Sequence, residues 1–333
     1  MQKIFKSRRL RIAAALALLA CTLTALAQEG TKKYPMKPIR LIVPATPAGP
    51  SDTIARALGQ ALSESMGTPV IVENRPGAGG VIAYEAAAKA APDGYTLLLA
   101  GTSQMAIQEA LGLKIPYDTV RDFSFIANIG TAPSLLVVAP SVPVSNVREL
   151  IALAKAKPGE LSFAAPTPGS ANHLAAEMLK SMAGIDVLGV PYKGASPAEL
   201  DLISGRVTFM FHTLTASLPR VRAGQLKALG ITSAQRAPDA PDIPTLAESG
   251  LPGFEVNTGF GLLGPAGLPA EITEKLNQET NKALRDSGFN DRLIKLGILA
   301  APGTASAYLT AYRAERERWK KVVQDANVHV EMN

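Results

Sequence analysis

The sequence predicts an α/β protein of two domains joined by a two-strand hinge. Three observations carry this reading. Strand-like and helix-like stretches alternate along most of the chain. The 333 residues exceed one ordinary domain. Two glycine-bearing apolar stretches, 125–138 and 255–265, break the alternation where a chain would leave one sheet and later return to it. Such alternation produces parallel strand pairs with right-handed crossovers.

The first 27 residues have the pattern of a secretory signal peptide. Lys3, Lys6, Arg8, Arg9 and Arg11 precede the short apolar run "IAAALALLA", and Ala25-Leu26-Ala27 forms a cleavage site. A second reading makes Cys21 a lipid-anchored residue, but the second leucine of "LLAC" fits that poorly. The expected location is periplasmic. Beyond the signal, "IRLIV" (39–43) reads as a buried strand. "TIARALGQALSESM" (53–66) places Ile54, Leu58, Ala61 and Leu62 on one helical face. Strand 69–74, helix 79–91, strand 93–101 and helix 105–111 follow. The stretch 125–138 then crosses into a second set. That set is helix 147–156, strand 161–166, helix 172–184, strand 187–192, helix 197–205, strand 207–211, helix 216–224 and strand 226–232. A proline-rich surface run leads to the return crossing, and helices at 270–287, 289–297 and 304–326 complete the chain. Domain 1 is therefore expected to comprise 34–130 plus 254–333, with domain 2, 131–253, inserted. A cleft at such a hinge is a common place for a small ligand.

Composition narrows the function. The signal carries five basic and no acidic residues, and without it 29 basic residues face 28 acidic ones. The basic balance thus belongs to the signal, and nucleic acid is not an expected partner. Aromatic residues are only 5% of the chain, against base stacking. The one cysteine falls inside the signal, so the remainder forms no disulfide and no thiolate metal site. HExxH and GxSxG are absent, and the three histidines are widely spaced; no catalytic residue, metal or cofactor is expected.

The strand tips hold the candidate site. "VPATPAGPSD" (43–52) joins the first strand to the first helix with small residues and three prolines, offering Thr46, Ala48, Gly49, Ser51 and Asp52. A helix N-terminus presents unpaired N–H groups and a partial positive charge, which suit an anion. Small residues admit the ligand to the backbone, and prolines hold the loop ready for it. "NRPGAGG" (74–80) repeats the plan with Gly77, Ala78, Gly79 and Gly80, but Ile82 breaks GxGxxG and no GK[ST] follows. Thr102 and Ser103 stand at the third tip. In domain 2, Thr167, Gly169, Ser170, Asn172 and His173 follow one strand, Lys193 and Gly194 another, and His212 and Thr213 a third. For Ser51 or Asp52 and for His173, helix capping is the structural alternative.

Three stretches, "NRPGAGG" with "PDGYTLLLA", "VPYKGASPAELDLISGRVTFMF" and "LKALGITSAQRAPDAPDIPTLAESGLPGFE", resemble the Bug or TctC-type substrate-binding proteins of tripartite tricarboxylate transporters. The resemblance implies a two-lobed, type II periplasmic-binding-protein-like fold that closes on a small organic acid. The acid would be a di- or tricarboxylate, an amino acid or an aromatic acid. It implies a carboxylate held mainly by backbone N–H groups and waters at the first two loops, with the domain 2 loops selecting the rest. Membrane permease subunits are the implied partners; a receptor presenting its ligand to a sensor kinase and an exported hydrolase are the alternatives. Two departures stand out. The family's Pro-aromatic-x-Pro-Gly-Gly-x-x-Asp here has Ala45 for the aromatic, Ala48 for the first glycine, and Pro50, implying a differently shaped floor and a bulkier ligand. His212 replaces an aspartate, implying a second acceptor or carboxylate partner and a pH-sensitive affinity.

Overall fold

The computed structural model describes residues 34–166, 169–192, 194–326 and 328. The expected signal peptide lies outside the described residues, as do Thr167 and Lys193. The described residues from 38 onward form one compact unit. Strand β1 (Ile39–Val43) runs parallel between β2 (Val70–Asn74) and β3 (Thr96–Gly101). Ile39, Leu41, Ile42 and Val43 are all fully buried, as a strand covered on both faces requires. Helix α1 (Pro50–Met66) turns Ile54, Leu58 and Leu62 inward. It starts three residues before the expected 53, because Pro50 occupies the first turn, where a missing N–H costs nothing. A 3₁₀ turn at Ala78–Gly80 precedes α2 (Val81–Ala88), and α3 (Thr102–Ala110) follows β3 without a loop.

Strand β4 (Phe123–Val138) is the crossing. From Phe123 to Pro133 it pairs antiparallel with β9 (Asn257–Pro265), which in turn pairs antiparallel with β3. From Ser134 to Val138 it pairs instead with β7 (Phe209–Thr213) and β8 (Lys227–Ile231). Strand β5 (Ser162–Ala165) lies parallel between β7 and β6 (Leu188–Pro191). The partner exchange at Pro133/Ser134 marks the junction of the two sets. Gly101 of β3 sits opposite Phe260 near the start of β9, and Thr213 of β7 sits opposite Ser134. The carboxyl ends of β1, β2 and β3 therefore face this junction from one side, and those of β5, β6 and β7 from the other.

Helices α4 (Val147–Ala156), α5 (Ala171–Ala183), α6 (Ala195–Ile203) and α7 (Leu214–Arg222) cover the second set. Helices α8 (Ala270–Arg285), α9 (Ser287–Lys295) and α10 (Ala305–Asp325) return to the first. Helix α10 packs Tyr308, Tyr312 and Trp319 inward and touches both α3 and α5. One apolar core thus runs from Leu98 and Met105 through Tyr312 to Phe163, Leu174 and Phe209. Strand β10 (Leu299–Ala300) pairs with β4 at Gly130 and Thr131 and was not expected. A Cβ on Gly130 would collide with the Leu299 carbonyl, so the pairing needs that glycine. Among the described residues no helix is long and apolar enough to cross a membrane.

Two expectations about the site elements are corrected. Thr102 and Ser103 are not loop residues: α3 begins at Thr102, not 105, with Gly101 as its cap. His212 and Thr213 belong to β7, because β4 continues far enough to pair with both.

Candidate ligand-binding site

Loop 1 (44–49) is built around Asp52. Its carboxylate accepts from Ala48 N (2.9 Å), Arg56 Nε (2.9 Å) and Asn74 Nδ2 (2.9 Å), and it is only 3% exposed. The Arg56 guanidinium, with the other donors, holds this acid at about 2 against an ordinary 3.8. Asn74, the last residue of β2, also donates to Ala45 O (3.1 Å), and Arg56 Nη2 donates to Asn74 Oδ1 (3.2 Å). Asp52 therefore organises the loop, its acceptors committed within the protein. Thr46 and Ala48 lie exposed on the loop's outer surface. Ala48 sits at φ 66°, a left-handed conformation that costs an alanine about 1–2 kcal/mol. Gly49 caps α1 with no side chain, and the N–H groups of Ser51 and Asp52 make no hydrogen bond among the described residues.

Loop 2 has the same character. Gly77, Ala78 and Gly79 are exposed, and Ala78 too is left-handed, at φ 47°. The N–H groups of Ala78 and Gly79 make no hydrogen bond among the described residues, while Gly80 N closes the turn onto Gly77 O (2.9 Å). Behind it stands Gln108 of α3, fully buried. Its Nε2 donates to Gly79 O (3.0 Å), and its Oε1 accepts from Tyr117 (3.2 Å). A Cβ on Gly79 would come within 2.8 Å of that Nε2, and φ is +60°. Because β2, β1 and β3 are adjacent, loops 1 and 2 and the start of α3 stand side by side, about 5 Å per strand.

The third tip supports rather than presents. Thr102 and Ser103 are buried. Ser103 Oγ accepts from Gly259 N (2.8 Å) and lies 3.0 Å from Asn257 O and against Glu315 Oε1. Both hydroxyls press on β9 so closely that a Cβ on Gly259 would lie 2.8 Å from Thr102 Oγ1.

Across the junction, Ser170 caps α5 and accepts from His173 N (3.3 Å). His173 Nδ1 accepts from Gly169 N (3.1 Å), its ring stacks on Phe163, and burial lowers its pKa. His173 is thus a capping residue of the loop. Asn172 Oδ1 accepts from Ser134 Oγ (2.7 Å), tying α5 to the partner-exchange point of β4. Gly194, at φ 114°, caps α6 and donates to Pro166 O (2.7 Å). Thr213, half-buried, ends β7 opposite Ser134. His212 is buried beneath α6 and α7: its Nε2 lies 3.1 Å from Glu199 Oε2, and Arg220 Nε donates to Glu199 Oε1 (2.8 Å). Burial lowers its pKa, so its Nε2–H donates to Glu199, and Nδ1 is left buried without a partner among the described residues. A groove of about 720 Å³ also touches Pro47 and Ala48, but it opens between α1 and α9, both outside the second set.

Sequence reasoning missed Asn74, Arg56, Gln108, Ser134, Glu199 and Glu315.

A family described as "Tripartite tricarboxylate transporter family receptor" matches residues 54–328. The chain belongs to the tripartite tricarboxylate transporter receptor family. BugT of Bordetella pertussis is 36% identical over 95% of this chain and 97% of its own. An R. palustris protein solved with adipate is 34% identical, with a TM-score of 0.74, covering 89% of this chain and 99% of that one. A Rhodopseudomonas palustris protein solved with bound malate is 32% identical, with a TM-score of 0.70, covering 87% and 100%. A TctC solute-binding protein from Polaromonas is 29% identical, with a TM-score of 0.80, covering 87% and 99%. The receptor has their two-lobed periplasmic-binding-protein fold, and the family is one of solute receptors, not enzymes.

Proposed function

We propose that this receptor takes a small organic acid between its lobes. One carboxylate would rest on backbone N–H groups of loops 1 and 2, chiefly Ser51, Ala78 and Gly79. The observation that carries this is the pair of exposed, small-residue loops at adjacent strand tips. Their side-chain acceptors are turned inward and their N–H groups are unengaged. The relatives solved with adipate and malate support an acid of this size. Thr46, Ala48, Gly49, Gly77 and Gly80 shape this side. Thr102, Ser103 and Asp52 act by holding it.

The opposite side would be formed by residues 167–173, 193–194 and 213. Thr213, opposite Ser134 in the ladder, and Asn172, bonded to Ser134 Oγ, lie at the hinge, and His212 acts through Glu199. Residues 34–130 with 254–333 would form one lobe and 131–253 the other, closing by a hinge at Pro133/Ser134 and Val256/Asn257. Closure follows from the acid binding the closed form more tightly than the open one. The signal-like first 27 residues support export, and the family supports delivery to membrane permease subunits.

The test is a thermal-shift screen of mono-, di- and tricarboxylates, amino acids and aromatic acids, after native mass spectrometry of the purified protein. A carboxylate is expected to raise the melting temperature with concentration. Stabilisation by neutral sugars or cations alone would refute the reading.

A further inference from the structure

We propose that Glu315 is a positioning residue of the candidate site, held as a neutral carboxylic acid that locks the first turn of α3 to the crossing strand β9 through Ser103. The inference rests on the proposed function only in calling that turn part of a ligand site.

The support is a count of protons around Ser103 Oγ. Three groups meet it: Gly259 N, Asn257 O and Glu315 Oε1. Gly259 N–H occupies one lone pair. The Asn257 carbonyl can only accept, so it takes the single hydroxyl proton. Pro133, opposite Asn257 in the ladder, has no N–H to offer that carbonyl instead. One lone pair of Ser103 remains, and Glu315 fills it only if it carries a proton to donate. An ionised Glu315 would set two acceptors against one hydroxyl proton, and one contact would be lost.

The surroundings agree. Glu315 is half-buried on α10, and desolvation of its carboxyl pushes its pKa up. Trp319 Nε1 donates to the same oxygen (3.2 Å), a contact that favours the ionised form but that burial outweighs. Arg318, on the same helix, favours the ionised form, but it is drawn off to Glu255 Oε2 (2.9 Å), ahead of β9. Glu255 itself opposes ionisation, and Tyr308 and Tyr312, the other titratable groups facing it, have their own pKa values raised by burial. The lock joins α3, β9 and α10 beside Asn257, where the return crossing enters the first sheet. Ionisation would free either the crossing strand or the helix.

Trp319 is the chain's one tryptophan, so its emission reports on Glu315 directly. The experiment titrates ligand-free wild-type protein and Glu315→Gln with pH. It follows Trp emission and the hydrogen exchange of amides 102–104 and 257–259. Gln cannot titrate and mimics the protonated acid toward Ser103: its amide N–H₂ donates where the acid would, at the cost of the Trp319 contact to that same position. The wild type should show a transition above the ordinary carboxylate value of 4.5, with exchange at both segments rising across it. Glu315→Gln should lose the transition and keep low exchange throughout. A wild-type transition at the ordinary value, or the same transition in Glu315→Gln, would overturn the proposal, as would exchange that stays flat across the Trp transition. Should Glu315→Gln fail to fold, infrared spectroscopy of the wild type decides. A protonated-carboxyl stretch at pH values where exposed carboxylates are ionised supports the lock, and its absence overturns it.

Discussion

Replacing Asp52 with asparagine removes the charge around which loop 1 is built. Asp52 draws in Ala48 N, Arg56 and Asn74, and its pKa falls from 3.8 to about 2. That shift corresponds to about 2.4 kcal/mol of differential stabilisation. The Arg56 side chain is 55% exposed, so solvent screens its share, leaving about 1–2 kcal/mol. Because the folded pKa is depressed, this contribution is complete above the unfolded value and is lost as pH falls through the folded one. Urea denaturation of wild type and Asp52→Asn near neutral pH should therefore differ by about 1–2 kcal/mol. The difference should shrink as pH falls from 3.8 toward about 2. Other carboxylates lost in acid affect both proteins alike and cancel. Equal stability near neutral pH, or a gap unchanged in acid, would refute the role given to Asp52.

Three further outcomes follow from the same geometry. Ala48→Gly should raise the urea midpoint, adding about 0.5–1 kcal/mol, since relief of the left-handed alanine exceeds the entropy of the glycine. Gln108→Ala should cost about 1–3 kcal/mol by orphaning the buried Tyr117 hydroxyl, and should weaken organic-acid binding in calorimetry by loosening Gly79. His173 has a folded pKa lowered by burial, so the wild type should lose stability in thermal melts as pH falls below 6.5. His173→Asn, which keeps an acceptor for Gly169 N, should have a shallower slope, the remainder belonging to His212, whose pKa burial also lowers.

The sheet was legible where apolar runs were dense. "IRLIV" and "TLLLA" are strands within a residue or three of expectation, and the length of 125–138 announced a strand serving two sheets. Strand β10 left no trace, because two residues have no period. The loops of the candidate site were also legible, since small residues and prolines at a strand tip are a local signal. The duties of individual side chains were not. Ser103 reads as a ligand hydroxyl until Glu315, 212 residues away, is beside it. Asp52 reads as a cap until Asn74 joins it. His212 reads as a ligand partner until Glu199 takes its Nε2. Each depends on a partner that only the tertiary fold supplies.

The central claim is that bare N–H groups of loops 1 and 2 hold a carboxylate. It is tested most directly by amide NMR of the receptor titrated with adipate or malate, whichever raises its melting temperature. The account predicts the largest downfield proton shifts at Ser51, Ala78 and Gly79, saturating together with binding. Saturable binding that leaves those three amides unmoved would contradict it.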